Sequence, residues 1–139
     1  MTFKTRRRVE FRDTDTAGIV HFSNFFVYME QTEHEFLRAI GQPLISEVDG
    51  KRCSWPRVAA NCNFRNAILF EEMIDIELSV SKLGTKSITY EFKITRDDTP
   101  IADGTLTAVC CEIEHGKKPK SIEISPAFAA AVEPYMAKS

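Results

Sequence analysis

MIDIELSVSKLGTKSITYEFKITR, residues 73–96, sets the class of fold. In its first half Ile74, Ile76, Leu78 and Val80 alternate with Asp75, Glu77 and Ser79. In its second half Ile88, Tyr90, Phe92 and Ile94 take every other position. Successive side chains on a strand point to opposite faces, so each half reads as a strand with one apolar side. The spacing predicts strands over 73–83 and 86–96, joined by a Gly84-Thr85 turn into an antiparallel hairpin. Asp97, Asp98, Thr99 and Pro100 predict the next turn. A last long strand is expected over 101–114, with Gly104 as a candidate bulge.

Upstream, residues 57–67 (RVAANCNFRNA) read as another strand, and residues 3–12 as the first. The run Arg6, Arg7, Arg8 fits a solvated strand or a guarded sheet edge. Between these two strands Phe22, Phe25, Phe26, Met29, Phe36, Leu37 and Ile40 recur at steps of three and four. That period predicts a helix from about Ser23 to Ile40, stopped by Gly41 and Pro43. Thr32 and Glu33 sit where its apolar stripe should continue. Either the helix centre borders a cavity or a second subunit, or the stripe rotates. A short helix is expected within 126–137. Strand, long helix, then four strands with hairpin-sized turns gives an α+β architecture: one antiparallel sheet curling around one helix, as a single domain over 1–139.

Composition limits the function. The chain has 139 residues, 43% hydrophobic and 27% charged, so it is globular rather than disordered. A net charge of −2 supplies no field to recruit nucleic acid. No run approaches the roughly 18 apolar residues that span a bilayer, and no apolar segment follows the basic N-terminus. The expectation is a cytoplasmic protein with no membrane insertion. Cys53, Cys62, Cys110 and Cys111 form no CxxC pair and are expected as reduced thiols. His21, His34 and His115 have no metal-ligand spacing, so no metal site is expected.

The chemistry-bearing stretch is RDTDTAGIVHFSNFFVYME, residues 12–30. Asp13 and Asp15 lie where a strand ends, shortly before a helix begins. A helix start presents unpaired N–H groups and a partial positive charge, which can polarise a carbonyl and hold an oxyanion. A carboxylate beside it can attack the carbonyl or activate water. The plain alternative is that both Asp residues shape a turn or cap a helix.

The run Asp13, Asp15, Ala17, Gly18, Ile19, Val20, His21, Phe22, Asn24 resembles the N-terminal signature of the 4-hydroxybenzoyl-CoA thioesterase-like branch of the hotdog superfamily, which includes the Tol-Pal-associated acyl-CoA thioesterases. The order of elements and the later VAANCNF segment are similar as well. The resemblance implies a hotdog fold, a five-stranded antiparallel sheet around a long central helix. It implies an acyl-CoA thioesterase without cofactor, working as a homodimer or a tetramer. Asp15 then maps to the catalytic carboxylate, as nucleophile or as general base. The Phe22 N–H maps to the oxyanion donor, and the loop near Ser54 to a second donor. Gly18 and Val20 border the substrate. His21 either assists or lines the pocket, and Asp13 shapes the loop. Lys86, with Lys117, Lys118 and Lys120, is the candidate set for the phosphates of coenzyme A. Phe22, Phe25, Phe26 and Phe36 line the acyl pocket or belong to the core. Three rivals stay open: an enoyl-CoA hydratase, an acyl-CoA-binding protein without activity, and a thioesterase for carrier-protein substrates.

Overall fold

A computed structural model describes residues 1–138. Along the chain run β1 (Phe3–Arg8), α1 (Ser23–Ala39), β2 (Ser46–Val48), β3 (Lys51–Ser54), β4 (Arg57–Phe64), β5 (Met73–Leu83), β6 (Ser87–Arg96), β7 (Thr99–Val109), β8 (Cys111–Glu112), β9 (Lys120–Ser121) and α2 (Pro126–Val132). The main sheet has the order β1-β5-β6-β7-β4, and each neighbouring pair is antiparallel. A smaller antiparallel sheet joins β2, β3, β8 and β9.

The alternation in residues 73–96 forms the hairpin it predicts. Ile74, Ile76, Leu78 and Val80 of β5 and Ile88, Tyr90, Phe92 and Ile94 of β6 are buried. Ser81 is an extra residue in β5, since pairing steps from Val80↔Tyr90 to Lys82↔Thr89. Helix α1 covers the apolar face. Phe36 meets Phe3 and Tyr90 edge-on, with ring centroids 5.6 and 6.1 Å apart. The buried residues of α1 are Phe25, Tyr28, Met29, Thr32, Glu33, Phe36 and Leu37. The stripe therefore does not rotate; Thr32 and Glu33 are buried within it. The Thr32 hydroxyl donates to the Tyr28 carbonyl at 2.8 Å, and Glu33 is paired with Arg57.

Gly104 sits in regular register, opposite Cys62 and Phe92, and is not a bulge. A Cβ there would lie 2.5 Å from the Asn61 carbonyl oxygen and 2.9 Å from Met29 Sδ. The missing side chain lets α1 approach the sheet. The bulge falls at Ile101, where pairing steps from Ile94↔Ala102 to Thr95↔Pro100. That extra residue is why Ile101 and Ala102 are both buried.

Other boundaries move for local reasons. β1 ends at Arg8 rather than Arg12, because Glu10 N donates to Asp13 Oδ2 and residues 11–13 wind a 3-10 turn. β4 ends at Phe64 rather than Ala67, because the Arg65 and Asn66 N–H groups both turn to the Ile101 carbonyl. The last strand breaks at Cys110, whose N–H donates to the Lys86 carbonyl at 2.8 Å. Strands β2 and β3 were not expected; at three and four residues they are too short for a period to show. Helix α2 ends at Val132, and a 3-10 turn over Glu133–Tyr135 replaces the expected extension. β1 is an edge strand, as its arginines suggest. Arg6 and Arg8 are exposed there, while Arg7 turns inward to pair with Glu35.

The β6–β7 turn carries Asp97 and Asp98 at φ 47° and 67°. Two positive φ values in a two-residue hairpin make a type I′ turn, which Asn-Gly fits best. Left-handed backbone is costly for Asp but not for Gly. Asp97→Asn with Asp98→Gly is therefore expected to raise stability by about 0.5–1 kcal/mol. Urea unfolding checks this as a higher midpoint at unchanged slope.

Candidate active site

Beyond Asp13 the chain folds into a tight loop closed by a bridge between Thr14 and Val20. Asp15 N donates to the Ile19 carbonyl at 3.0 Å, and Gly18 N donates to the Asp15 carbonyl at 3.0 Å. Gly18 takes φ 79°, a conformation glycine supplies without strain. The Ala17 N–H donates to Asp15 Oδ1 at 2.8 Å. One carboxylate oxygen is thus fixed, and Oδ2 meets no protein donor among the described residues. The segment after β4 clamps this loop from outside: Val20 N donates to the Ile68 carbonyl at 2.9 Å, and Ile19 bridges Leu69.

Helix α1 starts next to this loop. Ser23 N donates to His21 Nδ1 at 3.3 Å, and Asn24 N to the His21 carbonyl at 2.9 Å. The Phe22 N–H meets no acceptor among the described residues. It is an orphan donor at the positive end of a 17-residue helix.

Asp15 and Phe22 line one cavity of about 380 Å³, with Ile19, Val20, Phe25 and Phe64. The Phe64 ring lies 5.4 Å from that of Phe25 and 6.5 Å from that of Phe22, which makes one wall aromatic. Residues 65–68 complete the lining. A carboxylate residue, a helix start and an apolar wall around one space are the parts that can hold a carbonyl compound and attack it.

Of the residues singled out from the sequence, Asp15, Val20, Phe22 and Phe25 come together in this cavity. Gly18 shapes the loop without lining it. His21 Nδ1 is 2.8 Å from Ser23 Oγ, its ring packs on Phe22 at 4.7 Å, and it too stays outside the lining. Ser54 ends β3 in the smaller sheet, opposite Cys111, and is not brought to Asp15 within one chain. Lys86 is exposed in the β5–β6 turn, and Lys118 and Lys120 are exposed near β9; none lines the cavity. Asp13 faces the other way, where its Oδ2 accepts from Glu10 N and from the Tyr28 hydroxyl, each at 2.9 Å. Burial first, and then Asp13, push the Tyr28 hydroxyl above its ordinary range, so it stays a proton donor. Phe36 belongs to the core and Phe26 is half-buried. Sequence reasoning missed Phe64 and residues 65–68. The available signal was an aromatic residue ending a strand, followed by Arg-Asn.

Burial pushes the Cys62 and Cys110 thiols up to about 11, which makes them poor nucleophiles at neutral pH. Among the described residues no group of three or more His, Cys, Asp or Glu could hold a metal ion. No helix is long and apolar enough to cross a membrane.

Comparison with known proteins defines the class. A solved gentisyl-coenzyme A thioesterase superposes with a TM-score of 0.82 at 30% identity, covering 94% of this chain and 99% of that one. Its fold is the hotdog arrangement described above. The chain belongs to the thioesterase-like superfamily, whose profile matches residues 9–132, and as a member it is a thioester hydrolase. An Aquifex aeolicus protein, provisionally named an esterase, is 30% identical over 117 residues, which are 84% of this chain and 89% of that one. The 4-hydroxybenzoyl-CoA thioesterase of Pseudomonas sp. (strain CBS-3) is 25% identical over 126 residues, 86% of this chain and 89% of that protein.

Proposed function

We propose that the chain hydrolyses an acyl-coenzyme A thioester to the free acid and coenzyme A, with Asp15 as the reacting carboxylate. The supporting observation is that Asp15 lines one cavity with Phe22, whose N–H has no acceptor among the described residues. The thioester carbonyl oxygen accepts from the Phe22 N–H, which stabilises the oxyanion. Asp15 Oδ2 then follows one of two routes. It attacks the carbonyl carbon and expels the thiolate, and water opens the resulting anhydride. Otherwise it takes a proton from water, and the hydroxide attacks. Either route consumes one water and yields one carboxylic acid and one thiol. The aromatic wall of Phe22, Phe25 and Phe64 favours an aromatic acyl group. Relatives bearing aromatic acyl-CoA names, including a 1,4-dihydroxy-2-naphthoyl-CoA hydrolase of Nostoc punctiforme at 25% identity, support the same reading. The test is release of free thiol from aromatic and aliphatic acyl-CoAs. Faster release from the aromatic members supports the proposal, and no release from any member overturns it.

The reading includes self-association. β4 is the other edge of the main sheet, and its Val58 and Phe64 are 62% and 51% exposed. A long apolar edge is a template for another strand, and a second copy of β4 satisfies it. Phe64 lies both on this edge and in the cavity, so pairing would complete the site. Ala60→Asp places a charge in the middle of the edge and is expected to convert a dimer to monomer in sedimentation, with loss of turnover. An unchanged mass for the variant would remove β4 as the interface.

A further inference from the structure

A second cavity stands apart from the one beside Asp15. It measures about 550 Å³ and lies between β1 and the first turns of α1. Its wall carries Arg6, Arg7, Arg8 and Arg12 against two carboxylates, Glu10 and Asp13. No residue lines both cavities. The segment from Asp13 to Phe25 contributes to both, through Asp13 and Asn24 to this one and through Asp15, Ile19, Val20, Phe22 and Phe25 to the other.

The charges in this wall are unevenly matched. Asp13 Oδ2 is already occupied by the Tyr28 hydroxyl and Glu10 N. Arg12 faces Glu10 only at 3.8 Å, with both side chains largely exposed. Arg8 meets no carboxylate among the described residues; one of its N–H groups donates to the Glu71 carbonyl at 3.1 Å. Arg7 pairs through Nη2 with Glu35, yet its Nε is buried and has no partner among the described residues. The protein's own groups thus leave the Arg7 guanidinium only partly satisfied. Asn24 and Gln31 add neutral side chains able to donate. Guanidinium groups match phosphate in geometry as well as in charge, since they donate two parallel bonds.

We propose that this arginine-lined cavity is a binding site for a phosphorylated ligand, separate from the Asp15 cavity. Its occupant is held through phosphate by Arg7, Arg8 and Arg12. Two sources carry that chemistry: the nucleotide end of the coenzyme A substrate, or a free nucleotide or phosphate acting as an effector. An effector has a short path to the reacting loop. The Asp13 carbonyl accepts from His21 N at 2.9 Å and from Asn24 Nδ2 at 2.8 Å, so the cavity wall and the helix start share hydrogen bonds.

The test compares the wild type with Arg8→Gln/Arg12→Gln, whose side chains are exposed and hold no buried partner. Calorimetric titration with inorganic pyrophosphate is expected to show binding that weakens about tenfold or more in the variant, and that weakens with added salt. Pyrophosphate should raise the melting temperature of the wild type and not of the variant. Equal affinity in both proteins, or none in the wild type at millimolar pyrophosphate, overturns the site. The source is read from kinetics. If it is the substrate, the variant raises KM for acyl-CoA but not for the acyl-pantetheine analogue. If it is an effector, both KM values stay and only the response to pyrophosphate is lost. The titration needs no turnover, so it stands or falls apart from the hydrolysis reading.

Discussion

Asp15→Asn is expected to lower turnover of the preferred acyl-CoA by about 100-fold or more, with little change in melting temperature. The substitution keeps the atom that shapes the loop. Asn Oδ1 still accepts from the Ala17 N–H, as Asp15 Oδ1 does at 2.8 Å. What changes is the second oxygen, which no donor holds among the described residues. Its replacement is an amide nitrogen that neither attacks a carbonyl nor takes a proton from water. The Phe22 N–H is untouched, so substrate should still bind and KM should move little beside kcat. Stopped thiol release with the variant, alongside a melting curve, measures both. A variant that turns over at the wild-type rate would remove Asp15 from the chemistry and leave the loop as mere architecture.

The second large effect concerns stability. Glu33 is 1% exposed in the middle of α1 and is paired with Arg57, at the start of β4. Arg57 also donates to the Trp55 carbonyl at 2.9 Å and lies 3.7 Å from Glu30. Glu33→Ala leaves that guanidinium half-buried without its partner, and is expected to cost about 3–5 kcal/mol. The pH dependence is specific. Burial raises the Glu33 carboxyl from 4.5 to about 7, against the opposing pull of Arg57. The native state therefore binds a proton that the unfolded chain has released. The stability this contributes is full below about 4.5 and is lost as pH rises through about 7. The size is on the order of 3 kcal/mol. His34, 3.6 Å away, acts in the opposite sense: burial lowers its pKa, so its own contribution is present above the unfolded value of 6.5 and is lost as pH falls. Denaturant titrations from pH 4.5 to 8 should show the wild type losing stability relative to Glu33→Gln. Parallel curves would mean that the carboxylate stays charged throughout.

The hairpin and the long helix were legible because their patterns are long and one-sided, whereas β4 is exposed along most of its length. The residue-by-residue ends were not legible. Gly104 looks like a bulge in one dimension, yet it is a contact point between layers, and sequence carries no sign of what lies above a residue. Glu33 was visible as an interruption of the apolar stripe. Its partner, 24 residues away, was not, because pairing across the fold leaves no local period. The candidate site divides the same way. Asp15, Val20 and Phe22 follow from one contiguous stretch. Phe64 and residues 65–68 are brought in by the turn after β4 and by the bulge at Ile101, which accepts the Arg65 and Asn66 N–H groups. Ser54 and the lysines lie away from the cavity of a single chain, where a linear reading has no means to judge distance.

The gap at Gly104 also sets a direction. Met29 seats its sulfur there, six positions into the helix, so the middle of α1 is indexed against the sheet like a detent in a rotary switch. An α-helix turns about 100° per residue and rises about 1.5 Å, so its free end lies roughly 9 Å from that detent. A small roll at Met29 would re-aim the Phe22 N–H. The bearing of the proposed oxyanion donor is thus fixed from a distance by a side chain the sheet does not have.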